Sequence, residues 1–74
     1  MKIIGKRKLR ILEEIEKNPS HGYELANRLG VSLSSIYEHL KDLREYKLVE
    51  VEEQEKRKVY RITEKGRYLL KALR

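Results

Sequence analysis

Ser32-Leu33-Ser34-Ser35-Ile36-Tyr37-Glu38-His39-Leu40-Lys41-Asp42-Leu43-Arg44 combines a hydroxyl-rich start, apolar residues at Ile36, Leu40 and Leu43, and a polar remainder. That spacing predicts a helix buried along one stripe. A shorter helical signal precedes it at Tyr23 to Leu29, and Gly30-Val31 supplies a turn between the two. Two short helices across a tight glycine-containing turn are the sequence form of a helix-turn-helix. In that motif the second helix enters the DNA major groove, with its N-terminal residues toward the base edges.

Upstream, Gly5 to Lys17 carries Leu9, Ile11, Leu12 and Ile15 at helical spacing, and Ile4 joins that face one turn earlier. Asn18-Pro19 ends the helix, because a residue before proline avoids the α region. Ser20 is the expected N-cap of the Tyr23–Leu29 helix, with Leu25, Ala26 and Leu29 inward. Gly30 suits the left-handed residue that closes it. Ser32 caps the next helix, which should run to about Tyr46. The period then changes from helical to alternating. Leu48, Val49 and Val51 interleave with Glu50 and Glu52, and Val59, Tyr60 and Ile62 with Lys58 and Arg61, which predicts two strands. Gln54 to Arg57 connects them as a hairpin, without the Asn-Gly or Asp-Gly signal that would fix its register. Thr63 caps a last helix from Glu64 to about Leu73, with Tyr68, Leu69, Leu70, Ala72 and Leu73 as its apolar set. The order α-α-α-β-β-α is mainly α with a small β-hairpin wing (α+β), a winged helix-turn-helix. Residues 1–74 are expected to form a single DNA-binding domain.

The 74 residues carry a net charge of +6 and no cysteine. A chain of this size buries only about 60% of the surface it exposes unfolded, so a deep catalytic pocket is not expected and a partner would help stability. The missing cysteines remove disulfides and thiolate metal sites together. No run is apolar for long enough to cross a membrane, and no leader pattern opens the chain, so a cytoplasmic protein is expected, at the nucleoid when bound to DNA. A small basic domain most often meets nucleic acid. Charged residues make up 41% of the chain, against about 25% in ordinary domains. Lysine and glutamate enrichment without cysteine points to a thermophile source.

Four segments carry a family resemblance: HGYELANRLG (His21 to Gly30), SSIYEHLKDL (Ser34 to Leu43), LVEVEE (Leu48 to Glu53) and VYRITEKGRYLL (Val59 to Leu70). Together they resemble the PadR-like branch of winged-helix transcriptional regulators. The resemblance implies a DNA-binding regulator in which Tyr37 faces the duplex near a phosphate. Leu33 and Ser34 stand where the family usually has Pro-Gly, and Glu38 where it has proline after the tyrosine. The C-terminal helical extension that usually serves dimerisation and effector binding does not follow Arg74, so no small-molecule effector is expected.

Ser32, Ser34, Ser35, Tyr37, Glu38, Lys41 and Arg44 are the expected DNA-facing residues of the third helix. Hydroxyls and cations there suit phosphates and base edges. Glu38 could accept from a cytosine, but pairing with Lys41 is the plainer expectation. Tyr37 adjoins buried Ile36 and so should point outward, or pack half-buried on the wing or second helix. Lys56, Arg57 and Lys58 at the wing would touch phosphates or enter a minor groove, with Glu52, Glu53 and Glu55 partly cancelling their field. Lys6 and Lys8, in an N-terminal basic run with Lys2, Arg7 and Arg10, are expected to touch DNA phosphates as a basic arm, or else to form the exposed face of the first helix. His21 reads as a helix-entry residue with no ligand partner and His39 as a flank residue, so neither metal nor cofactor is expected. Ile3, Ile4, Tyr68, Leu70 and Leu73 are the expected homodimer surface.

The leading expectation is a repressor, binding a palindromic double-stranded site as a dimer. One alternative is a winged-helix module docking on protein, for which Leu33 is the available apolar contact. The other is a non-specific architectural DNA binder, with a salt slope of about −0.9 per phosphate and little sequence preference. No nucleophile, base and orienting acid form a set, so an enzyme is not expected.

Overall fold

A computed structural model describes residues 5–74, which form four helices and one three-stranded sheet. Helix α1, Lys6–Lys17, buries Ile11, Leu12 and Ile15. It ends at Asn18, whose backbone is extended ahead of Pro19.

That extended exit has a consequence absent from the helical pattern. Ser20–His21 pair with Tyr60 and Val59 as a short strand, β1. Ser20 is therefore not the cap of the second helix. It lies 1% exposed, donates its hydroxyl to the Asn18 carbonyl (2.9 Å) and accepts from Arg28 (3.2 Å). The cap position falls to His21, whose backbone N–H donates to the Glu24 carboxylate at 3.1 Å. Helix α2, Gly22–Leu29, closes on Gly30 at φ 64°, with the Val31 N–H donating to the Ala26 carbonyl.

Helix α3, Leu33–Glu45, starts where Ser32 accepts from the Ser35 N–H at 3.2 Å. Its stripe of Ile36, Leu40 and Leu43 is fully buried. The helix closes on Lys47 in the left-handed region, φ 63°. Leu48 N–H reaches the Leu43 carbonyl and Lys47 N–H the Arg44 carbonyl, the bond pair of a Schellman ending.

Strands β2, Val49–Gln54, and β3, Arg57–Ile62, are antiparallel from Val49↔Ile62 to Gln54↔Arg57. The register leaves two turn residues, Glu55 and Lys56, and only Glu55 of the pair has positive φ, 56°. Such a pattern occurs in type II′ hairpins. In the sheet β3 is central, with β1 on one edge and β2 on the other. Thr63 caps α4, Glu64–Leu73, accepting from the Gly66 N–H and donating to the Lys47 carbonyl at 2.7 Å.

The core gathers side chains from all four helices and the sheet, with Leu12, Leu25, Leu40 and Leu70 fully buried. Leu70 thus corrects one expectation: it fills the monomer core and is not available to a dimer surface. Its neighbours Tyr68 (63% exposed) and Leu73 (44%) do face outward. Ile3 and Ile4 lie outside the described residues. Among the described residues no helix is long and apolar enough to cross a membrane.

Candidate nucleic-acid interface

Because α3 spends its apolar stripe on the core, its other residues divide into an outer face and two flanks. Ser34, Glu38 and Lys41 are exposed, and Ser35 is half-buried. Ser32 is exposed too, but its hydroxyl already serves the helix start. The expected Glu38–Lys41 pair does not form among the described residues, where the ion pairs join other partners.

The flank toward the hairpin carries Tyr37, Lys41 and Arg44. Two grooves meet there on either side of the Tyr37 ring. One, of about 470 Å³, is lined by His21, Tyr23, Tyr37, Lys56, Arg57, Lys58 and Tyr60. The other, of about 340 Å³, is lined by Tyr37, Leu40, Lys41, Arg44, Glu45 and Tyr60. Tyr37 is 45% exposed, yet its ring lies against Gly22 at the entry of α2. A Cβ on Gly22 would come within 2.7 Å of the ring's Cε1. The tyrosine is thus outward-facing and packed on the second helix at once. Burial pushes the Tyr60 phenol above its usual pKa, nearby Tyr37 adds to the rise, and Arg44 opposes it.

The wing's charges are sorted by pairing. Glu52 accepts from Arg61 at 3.0 Å and from Gln54 at 3.1 Å. The Arg61 hydrogen bond, followed by that of Gln54, holds the Glu52 carboxyl below the usual carboxylate range. Glu52 is thereby matched to Arg61 rather than to the wing-tip cations, although Glu53 still sits opposite Lys58. Arg57 reaches back to His21, Nη1 to Nε2, at 3.3 Å. The same imidazole nitrogen is 3.4 Å from Glu24. A carboxylate one turn along therefore does accompany His21, contrary to the expectation that none would.

On the opposite flank α1 packs against α3. Lys8 pairs with Asp42 at 3.4 Å, its side chain only 19% exposed. That lysine is committed to the fold instead of projecting as part of a basic arm. Lys6, Arg7, Arg10 and His39 line a concavity beside it.

Sequence reasoning brought α3 and the wing cations to one surface but missed the aromatic interior of the groove. His21 enters it because β1 lies beside β3, Tyr60 comes from β3 itself and Tyr23 from the first turn of α2. A two-residue strand leaves no period to detect; the His-Gly-Tyr string itself was the available signal.

The profile of the transcriptional regulator PadR-like family matches residues 11–72. The transcriptional regulator BldR from Sulfolobus solfataricus superposes with a TM-score of 0.88 at 28% identity, over 93% of this chain and 52% of that one. HlyU from Vibrio cholerae gives 0.83 at 27% identity, over 93% and 74%. FabT from Streptococcus pneumoniae, solved in complex with DNA, gives 0.88 at 20% identity, over 96% and 52%, a likeness of fold alone. The chain thus spans about half the length of BldR and FabT. No curated protein sequence matches it.

Proposed function

The chain belongs to the PadR-like family of transcriptional regulators, and from that membership we propose that it binds double-stranded DNA sequence-specifically and regulates transcription inside the cell. The observation that carries the reading is the convergence on one side of α3 of Tyr37, Lys41 and Arg44 with the wing cations Lys56, Arg57 and Lys58. An α-helix fits the major groove, where base edges differ for every base pair. In this reading Ser34, Ser35 and Glu38 meet base edges, while Lys41 and Arg44 hold the backbone and Tyr37 donates to a phosphate. The wing cations take the neighbouring backbone or minor groove. A homodimer would repeat the arrangement on a palindromic site, with half-sites about 34–36 Å apart. Occupying a promoter then represses by exclusion, and the reading calls for no small-molecule effector.

Selection of bound duplexes from a random-sequence pool, at about 0.15 M salt to screen weak surface attraction, tests it. Enrichment of an inverted repeat supports a specific dimeric regulator. Binding without enrichment would make the protein an architectural DNA binder. With no binding, the exposed Leu33 and the aromatic groove would become a surface for protein.

A further inference from the structure

The flank of α3 away from the wing holds a second concentration of positive charge. Lys6, Arg7 and Arg10 from α1 and His39 from α3 surround a concavity of about 320 Å³. None of the three α1 cations has an ion-pair partner among the described residues. Of the two acids that act on His39, Asp42 is already matched by Lys8 and Glu38 is the other. The start of α1 compounds the imbalance. Its first turn contains no acidic residue, and Gly5 at the cap offers no side-chain acceptor. Cations at the positive end of a helix dipole are unfavourable unless an anion joins them.

We infer that Lys6, Arg7, Arg10 and His39 form a phosphate cradle that grips the DNA strand on the side of α3 opposite the wing. The inference rests on the DNA-binding reading above and deepens it. A helix about 10–12 Å across fills a major groove about 12 Å wide, so a phosphate backbone passes along each of its flanks. Wing cations serve one flank, and the α1 cradle serves the other. Arginine suits the task because its planar donors can bind phosphate oxygens two at a time.

His39 adds a proton to this contact. Burial first, then the charges of Lys8 and Arg7, lower its pKa, against the opposing pull of Asp42 and Glu38. Lys6 and Arg10 face the same concavity from α1. The free protein therefore holds His39 neutral near pH 7. A phosphate in the cradle favours the imidazolium, so binding takes up a proton and affinity rises as pH falls toward the ordinary histidine range.

Fluorescence anisotropy of the full chain with a labelled duplex tests the cradle, across salt and pH. Arg7→Gln/Arg10→Gln is compared with the wing variant Lys56→Gln/Lys58→Gln, each checked for a native melting temperature. The cradle variant should lose about tenfold in affinity, the scale of one charge-assisted hydrogen bond. Its salt slope should be shallower by about 0.9, while its ranking of duplex sequences stays native. His39→Gln should flatten the pH dependence with little change at pH 8. If the wing variant weakens and the cradle variant binds like the native chain, the cradle is wrong and the DNA-binding reading stands. A native chain that binds no duplex overturns both.

Discussion

Alanine at Gly66 would set its Cβ against the main-chain carbonyl of Leu48 and within 2.7 Å of the Ile62 side chain. Both belong to the junction where the hairpin and α4 meet, so little can retreat. Gly66→Ala should cost about 1–3 kcal/mol, the usual range for overpacking, and urea denaturation will read it as a lowered midpoint. Gly22 poses a different case. Its Cβ would meet Cε1 and Cζ of Tyr37, the outer end of a half-exposed side chain that can swing away. Gly22→Ala should leave the melting temperature nearly native, yet weaken duplex binding by roughly fivefold, about 1 kcal/mol. Equal losses of stability and affinity would show that the ring is not held for DNA. Thr63 links two elements by accepting from Gly66 and donating to Lys47. Thr63→Ala should cost about 1–2 kcal/mol in the same denaturation assay. Its capping role was legible from its place before Glu64, whereas the bond to Lys47 depends on a partner sixteen positions away.

Elements end by rules that side chains advertise unequally. Gly30 closes α2 in the left-handed region and could be recognised from its identity alone. Lys47 does the same for α3, and a lysine gives no such notice. Lys47→Gly should relieve the crowding of its Cβ and raise stability by about 0.5–1 kcal/mol, despite the entropy glycine adds to the unfolded chain. Thermal melting will show the gain. Strand β1 was illegible for a related reason: alternation cannot be seen in two residues, and Ser20 also fits a helix start. The longer strands declared themselves through apolar residues at every second position. Within the hairpin, the Glu52–Arg61 pair has a pH signature of definite sign. Glu52 titrates lower folded than unfolded, so its favourable contribution is present above the unfolded pKa and disappears as pH falls through the folded one. Arg61→Gln should move the Glu52 titration back up toward the ordinary carboxylate range, followed by carboxyl-carbon NMR.

At the scale of the molecule, six of the seven elements could be read from changes of period, because each long element buries one continuous stripe. What period alone withholds is which neighbour covers that stripe. Leu70 illustrates this: it belongs to an apolar helix set, but only packing against the other helices assigns it to the interior. Leu70→Ala should cost about 2–5 kcal/mol at every protein concentration. Tyr68→Lys/Leu73→Lys should leave the fold intact and, if α4 joins two copies, shift sedimentation from dimer to monomer. An unchanged sedimentation coefficient would remove α4 from the interface. The candidate site divides in the same way. Its charged rim was legible from cation positions, but His21 joins Tyr60 in its floor only through the placement of β1 beside β3. That placement also governs how the wing behaves. A hairpin attached along one edge can swing as a door does. Here β3 is bonded on both sides at Val59 and Tyr60, so tilting the base of the wing would pull on His21 and the first turn of α2. The base of the wing is thereby braced against α2, which sets the offset of the hairpin from α3 within the fold itself. On the DNA-binding reading proposed above, such a protein would gauge the spacing between the groove it reads and the backbone its wing touches. Duplexes whose groove width departs from that gauge should then be disfavoured at positions no side chain contacts.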